Sequence, residues 1–177
     1  MSRAVDEYRL LRSRVDERVR ELVEMHRENL ACRPGCCECC QNLSVFPVEY
    51  HAILEDLRRQ GTGHLKTDDS ASCAFLRDGL CLIYPFRPLI CRTHGLPVAV
   101  CAADDADERR VMFCRLNFAG AGEDDLWFGP QNTLDLEQIN QQLALINLRF
   151  SRERGMSPAE ASRRIPLAQL AADLNGA

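Results

Sequence analysis

Cys32-Arg33-Pro34-Gly35-Cys36-Cys37-Glu38-Cys39-Cys40 holds five of the chain's ten cysteines in nine residues. Crowded thiols repel one another as thiolates or oxidise to mixed disulfides, so a density of this kind calls for a ligand that holds the sulfurs. A metal ion or metal cluster is the first candidate. Pro34 and Gly35 also stop a helix, which makes the stretch a loop between elements.

Upstream, Leu11, Val15, Val19, Leu22, His26 and Leu30 recur at three- to four-residue spacing between Arg and Glu. That pattern predicts one amphipathic helix over 3–30, with His26 on its apolar face as a core or capping residue. Downstream, Pro47 opens a second helix with Tyr50, Ile53, Leu54 and Leu57 inward, and Gly61 and Gly63 stop it. Residues 61–72 are polar and turn-rich, and 102–110 are acidic then basic, so both are expected to be exposed loops. Pro85, Pro88 and Pro97 break 73–101 into loops and short turns. A third helix spans 134–150, capped by Thr133, with Leu136, Ile139, Leu143, Ile146 and Phe150 inward. Ser157-Pro158 opens a short fourth helix, and Pro166 begins or kinks a last one. The expected fold is mainly α: a small helical domain clamping an irregular, cysteine-rich metal-binding centre. We read residues 1–177 as a single domain, with an N-terminal helix (1–31), a cysteine-rich core (32–114) and C-terminal helices (115–177).

The chain has 177 residues, 46% of them hydrophobic, enough for one core. A net charge of −4 argues against a nucleic-acid surface. Lys66 is the only lysine among 22 basic residues, and the arginines are spread along the chain. No secretory signal follows Met1, and no window approaches the roughly 18 apolar residues of a membrane span. A cytoplasmic location follows, where thiols stay reduced and cysteines serve as metal ligands or redox groups before disulfides.

The spacing Cys32-x3-Cys36-x2-Cys39-Cys40 lets turns aim pairs of sulfurs at one centre. A second set, Cys73, Cys81, Cys91, Cys101 and Cys114, has gaps of seven, nine, nine and twelve residues. These fit loops converging on the site the first cluster begins. Cys37 falls off the spacing, and Cys37 and Cys101 are each also readable as a small buried hydrophobe. His94, three residues after Cys91, is a possible ligand or a structural histidine. His51 and His64 carry no signal. Arg33, Arg87 and Arg92 stand beside the candidate ligands and are either second donors to the sulfurs or exposed ion pairs.

Three pieces of sequence carry a family resemblance. They are Cys32-Arg33-Pro34-Gly35-Cys36-x2-Cys39-Cys40, then Cys73-Ala74-Phe75-Leu76, then Cys81-Leu82-Ile83-Tyr84-Pro85-Phe86-Arg87-Pro88-Leu89-Ile90-Cys91-Arg92. Together they resemble the YkgJ-type cysteine cluster proteins, the zinc- or iron-chelating CxxCxxCC family, from Cys32 to about Cys114. The Arg164-Ile165-Pro166-Leu167 tail is also similar. The resemblance implies metal ligation by Cys32, Cys36, Cys39, Cys40, Cys73, Cys81, Cys91 and Cys114, with Cys37 and Cys101 outside the pattern. The first gap is x3 where the family name has x2, and His94 stands where many relatives carry an aromatic residue. The likeness extends to flagellin lysine N-methylases, which implies a cluster-dependent modifying enzyme as one expectation; the chain has no glycine-rich nucleotide loop.

Eight thiolates serve two four-thiolate zinc sites, an iron–sulfur cluster with further ligands, or a polynuclear centre. Neighbouring side chains diverge, so Cys39 and Cys40 favour two sites or a polynuclear cluster. Two Zn²⁺ with eight thiolates leave a charge of −4 to be compensated, while an iron–sulfur cluster on four thiolates carries less, which tilts the balance towards iron–sulfur. The expected function is metal binding through an iron–sulfur cluster or zinc, with a redox or protein-modifying activity. The alternatives are a structural zinc module and an interaction adaptor without catalysis.

Overall fold

The apolar spacing near the N-terminus does produce a long helix, α1 (Arg3–Met25), whose first turn is capped by the Ser2 hydroxyl accepting the Val5 N–H. It stops short of Leu30 at a 3₁₀ turn, Arg27–Asn29. Tertiary bonds explain the early end. The His26 ring pairs with the Asn132 carbonyl at 2.8 Å, and the Asn29 carbonyl accepts the Phe118 N–H at 2.7 Å. The computed structural model describes residues 2–62, 65, 67, 71–101, 108–122 and 126–176. Gly63, His64, Lys66 and much of the expected 102–110 loop lie outside them.

Proline at the first helical position starts α2 (Pro47–Arg59), and Tyr50, Ile53, Leu54 and Leu57 are buried as the spacing predicts. Glu49, only 2% exposed, accepts from the Tyr8 hydroxyl and from the backbone N–H groups of Phe46 and Leu89. That carboxyl ties three helices, α1, α2 and α3 (Leu89–Thr93), and burial pushes its pKa up.

The next long helix, α4 (Leu136–Glu153), is capped by Asp135 rather than Thr133. Asp135 accepts the Gln138 N–H at 2.9 Å, while the buried Thr133 hydroxyl donates to the Gly129 carbonyl within the preceding turn. Leu143, Ile146 and Phe150 of α4 pack with Tyr8, Leu11 and Val15 of α1 and Val48 and Ala52 of α2. A second core joins Ile53 and Leu57 of α2 to Phe75, Ile83, Leu170 and Leu174.

Short strands complete the frame, and they correct the loop-only reading of 73–101 and of residues after 108. β1 (Ser44–Val45) pairs with β7 (Ile165–Pro166), so Pro166 lies in a strand and α6 (Gln169–Asn175) begins after it. Between them, α5 (Pro158–Ser162) follows its Ser157 cap as expected. A hairpin joins β2 (Leu76–Arg77) to β3 (Leu80–Cys81). β4 (Val98–Cys101) runs antiparallel to β5 (Arg109–Met112) and parallel to β6 (Leu134–Asp135). Six α-helices and these small sheets, among the described residues, leave the fold mainly helical around an irregular cysteine-rich centre.

Candidate metal centre

Two successive turns shape the first cysteine loop. The Cys36 N–H donates to the Arg33 carbonyl at 3.0 Å, and the Cys40 N–H to the Cys37 carbonyl at 2.9 Å. The tip of the β2–β3 hairpin closes on this loop backbone to backbone. A Cβ at Gly79 would lie 3.2 Å from both the Cα and the carbonyl oxygen of Gly35. Only glycine allows that approach, and it brings Cys73 and Cys81 to the cysteine loop.

The other approach comes from the turn after α3. A Cβ at Gly95 would stand 3.2 Å from the Cys32 sulfur and 3.7 Å from the Cys114 Cβ, and the Cys114 N–H donates to the Gly95 carbonyl. Asn117, 1% exposed, locks the junction. Its Nδ2 donates to the Gly95 carbonyl at 2.6 Å, its Oδ1 accepts the Ala31 N–H at 2.8 Å, and its amide lies 3.7 Å from the Cys32 sulfur.

The electrostatic neighbours of the adjacent pair Cys39 and Cys40 differ. The Cys39 thiol is pushed up by burial and then by Cys32, with Cys36 and Cys114 adding to it. Cys40 is pushed up to about 11 by burial, by its neighbour Cys39, and then by Cys73, Cys81 and Cys37. Cys91 rises to about 12, first through burial, with Cys73, Cys81 and Cys40 contributing. Burial likewise raises Cys81, with Cys73 adding to it. The charges acting on Cys39 thus come from Cys32, Cys36 and Cys114, and those on Cys40 from Cys39, Cys73, Cys81 and Cys37. All ten cysteines are free of disulfides. Among the described residues, no group of three or more His, Cys, Asp or Glu is already drawn into metal-binding geometry.

The donor chemistry fits a thiophilic metal. Burial and neighbouring thiols favour the protonated form of Cys39, Cys40, Cys81 and Cys91, and a divalent cation reverses this by stabilising thiolate. Sets of four sulfurs match tetrahedral zinc or iron–sulfur chemistry.

The remaining candidates divide. Arg87 stacks 3.6 Å over the Tyr84 ring, and its charge lowers the Cys81 and Cys91 thiols against their burial. Arg92 spends its guanidinium on Asp16 at 2.5 Å and on the carbonyls of Arg87 and Pro85, so it braces the loop before Cys91. Arg33 is exposed. The His94 ring bonds the Cys39 backbone, and burial lowers its pKa. Cys37 is half-buried beside Cys40, and Cys101 lies on β4 opposite Arg109. Sequence reading missed Gly79, Gly95 and Asn117, whose roles depend on approaches between distant segments; the one hint was Gly95 directly after the Cys91–His94 string.

No helix among the described residues is long and apolar enough to cross a membrane. Residues 31–116 match the model of the CxxCxxCC family, described as a putative zinc- or iron-chelating domain. Neither a curated protein nor a solved structure matches the chain.

Proposed function

We propose, on the premise that residues 31–116 belong to the CxxCxxCC family, that this chain binds metal at two four-thiolate centres. Cys32, Cys36, Cys39 and Cys114 ligate the first; Cys40, Cys73, Cys81 and Cys91 ligate the second. The observation that supports this reading is the meeting of segments on the cysteine loop: the Gly95 turn stands against the Cys32 sulfur and the Cys114 Cβ, and the hairpin tip at Gly79 against Gly35, with Cys39 and Cys40 drawing on different neighbours. Four thiolates leave a tetrahedral ion no open position, the form of structural zinc. In that reading the metals hold residues 32–114 folded as the core of one domain, in a cytoplasmic environment that keeps the ten cysteines reduced. A second reading, an iron–sulfur cluster with redox or protein-modifying activity, is favoured by Arg87, whose charge stands beside Cys81 and Cys91.

Purification without oxygen followed by elemental analysis tests the proposal. It predicts about two metal ions per chain, one for each four-thiolate set. Broad visible absorption with acid-labile sulfide moves the assignment to the cluster. A folded protein without bound metal overturns it.

A further inference from the structure

Cys37 belongs to neither four-thiolate set; it lies three residues before Cys40, and both are half-buried. The two are the corner residues of one hydrogen-bonded turn, Cys40 N–H to Cys37 carbonyl at 2.9 Å. Such a turn holds its end Cα atoms within about 7 Å, and a disulfide needs about 4.4–6.8 Å. The intervening Glu38 and Cys39 make a Cys-x-x-Cys spacing, which suits a reversible disulfide. The interleaved pair Cys36 and Cys39 has the same spacing, but both of its sulfurs belong to the first centre. Cys37 is the thiol in this loop that the metal sites leave over.

Resting on the two-centre reading, we propose that Cys37 and Cys40 form a peroxide-sensitive disulfide that withdraws one ligand from the second centre. Hydrogen peroxide reacts first with the unligated Cys37 sulfur, which gives up its proton. A sulfur–oxygen bond forms, the oxygen–oxygen bond breaks, and hydroxide leaves as water after taking a proton. The Cys40 sulfur then attacks Cys37 Sγ, forming the sulfur–sulfur bond and breaking the sulfur–oxygen bond. A second hydroxide leaves and is protonated. Two thiols lose two electrons in all, and one peroxide becomes two waters. With three thiolates left, the second centre loses its ion, and a dithiol reductant restores it.

The test loads wild type and Cys37→Ser with zinc, counts the zinc, and adds one equivalent of hydrogen peroxide. Zinc release is followed with a coloured chelator and disulfides by peptide mass mapping. Wild type should release about one zinc per chain with a Cys37–Cys40 link, and Cys37→Ser should release it at least about tenfold more slowly. Equal release rates, or a link that joins other cysteines, overturn the switch. A zinc deficit in Cys37→Ser before peroxide overturns it differently, by making Cys37 a ligand. If wild type holds no zinc, the two-centre reading fails on that count alone. The mapping arm on metal-free protein then still decides whether Cys37 and Cys40 pair.

Discussion

Gly95 faces Cys32 so closely that a Cβ on it would sit 3.2 Å from the Cys32 sulfur, and its backbone is left-handed at φ +87°. Both facts make a side chain here strained. Gly95→Ala should cost about 1–2 kcal/mol from the backbone alone and displace Cys32 as well. The check is a thermal melt with metal analysis, which should show the first centre's ion lost and the second's retained.

Asn117 holds the same junction from below, with its amide shared between Ala31 and Gly95. Asn117→Ala leaves the part-buried Ala31 N–H unpaired, at about 1–3 kcal/mol, while the Gly95 carbonyl loses one of two donors and keeps the Cys114 N–H. Urea unfolding should report the loss. Metal titration should show weakened binding at the first centre alone.

Arg92 braces the loop before Cys91, a ligand of the proposed second centre. Its planar fork reaches Asp16 and two carbonyls at once, which a lysine ammonium cannot reproduce. Arg92→Lys should lose about 2 kcal/mol of stability, discounted because Asp16 is partly exposed. The metal bound through Cys91 should become easier for a chelator to remove, with the first centre unchanged.

Asp135 gives a pH signature away from the cysteines. The Gln138 N–H, and then Arg109, hold its carboxyl below the ordinary range. A depressed pKa means the stabilisation is fully present above the unfolded value, near pH 4, and is lost as pH falls through the folded one. Asp135→Ala should therefore cost about 1 kcal/mol at neutral pH, with the gap to wild type closing below about pH 4. Asp135→Asn, a neutral cap, should keep its stability through that window. Chemical unfolding at a series of pH values checks both.

The long helices were legible because burial follows a local period. The inward positions of α2 and the Ser157 cap came straight from spacing and from Ser or Pro placement. Helix ends were less legible. α1 stops where His26 and Asn29 find partners beyond residue 115, which no local pattern encodes. Thr133 and Asp135 are both acceptable caps by type, and only the turn that occupies the Thr133 hydroxyl separates them. The two-residue strands β1 and β7 stand about 120 positions apart, too short and too distant for alternation to announce them. At the candidate site, the crowding of cysteines in 32–40 was readable from the sequence alone. The supports, Gly79 on Gly35 and Asn117 under Gly95, exist only once the segments meet.

The most direct measurement is the metal count, by native mass spectrometry, of wild type, Cys39→Ser, Cys40→Ser and the double variant. Two four-thiolate centres divided at that peptide bond predict about two, one, one and zero ions. Loss of all metal in either single variant, or full retention in both, would contradict the division.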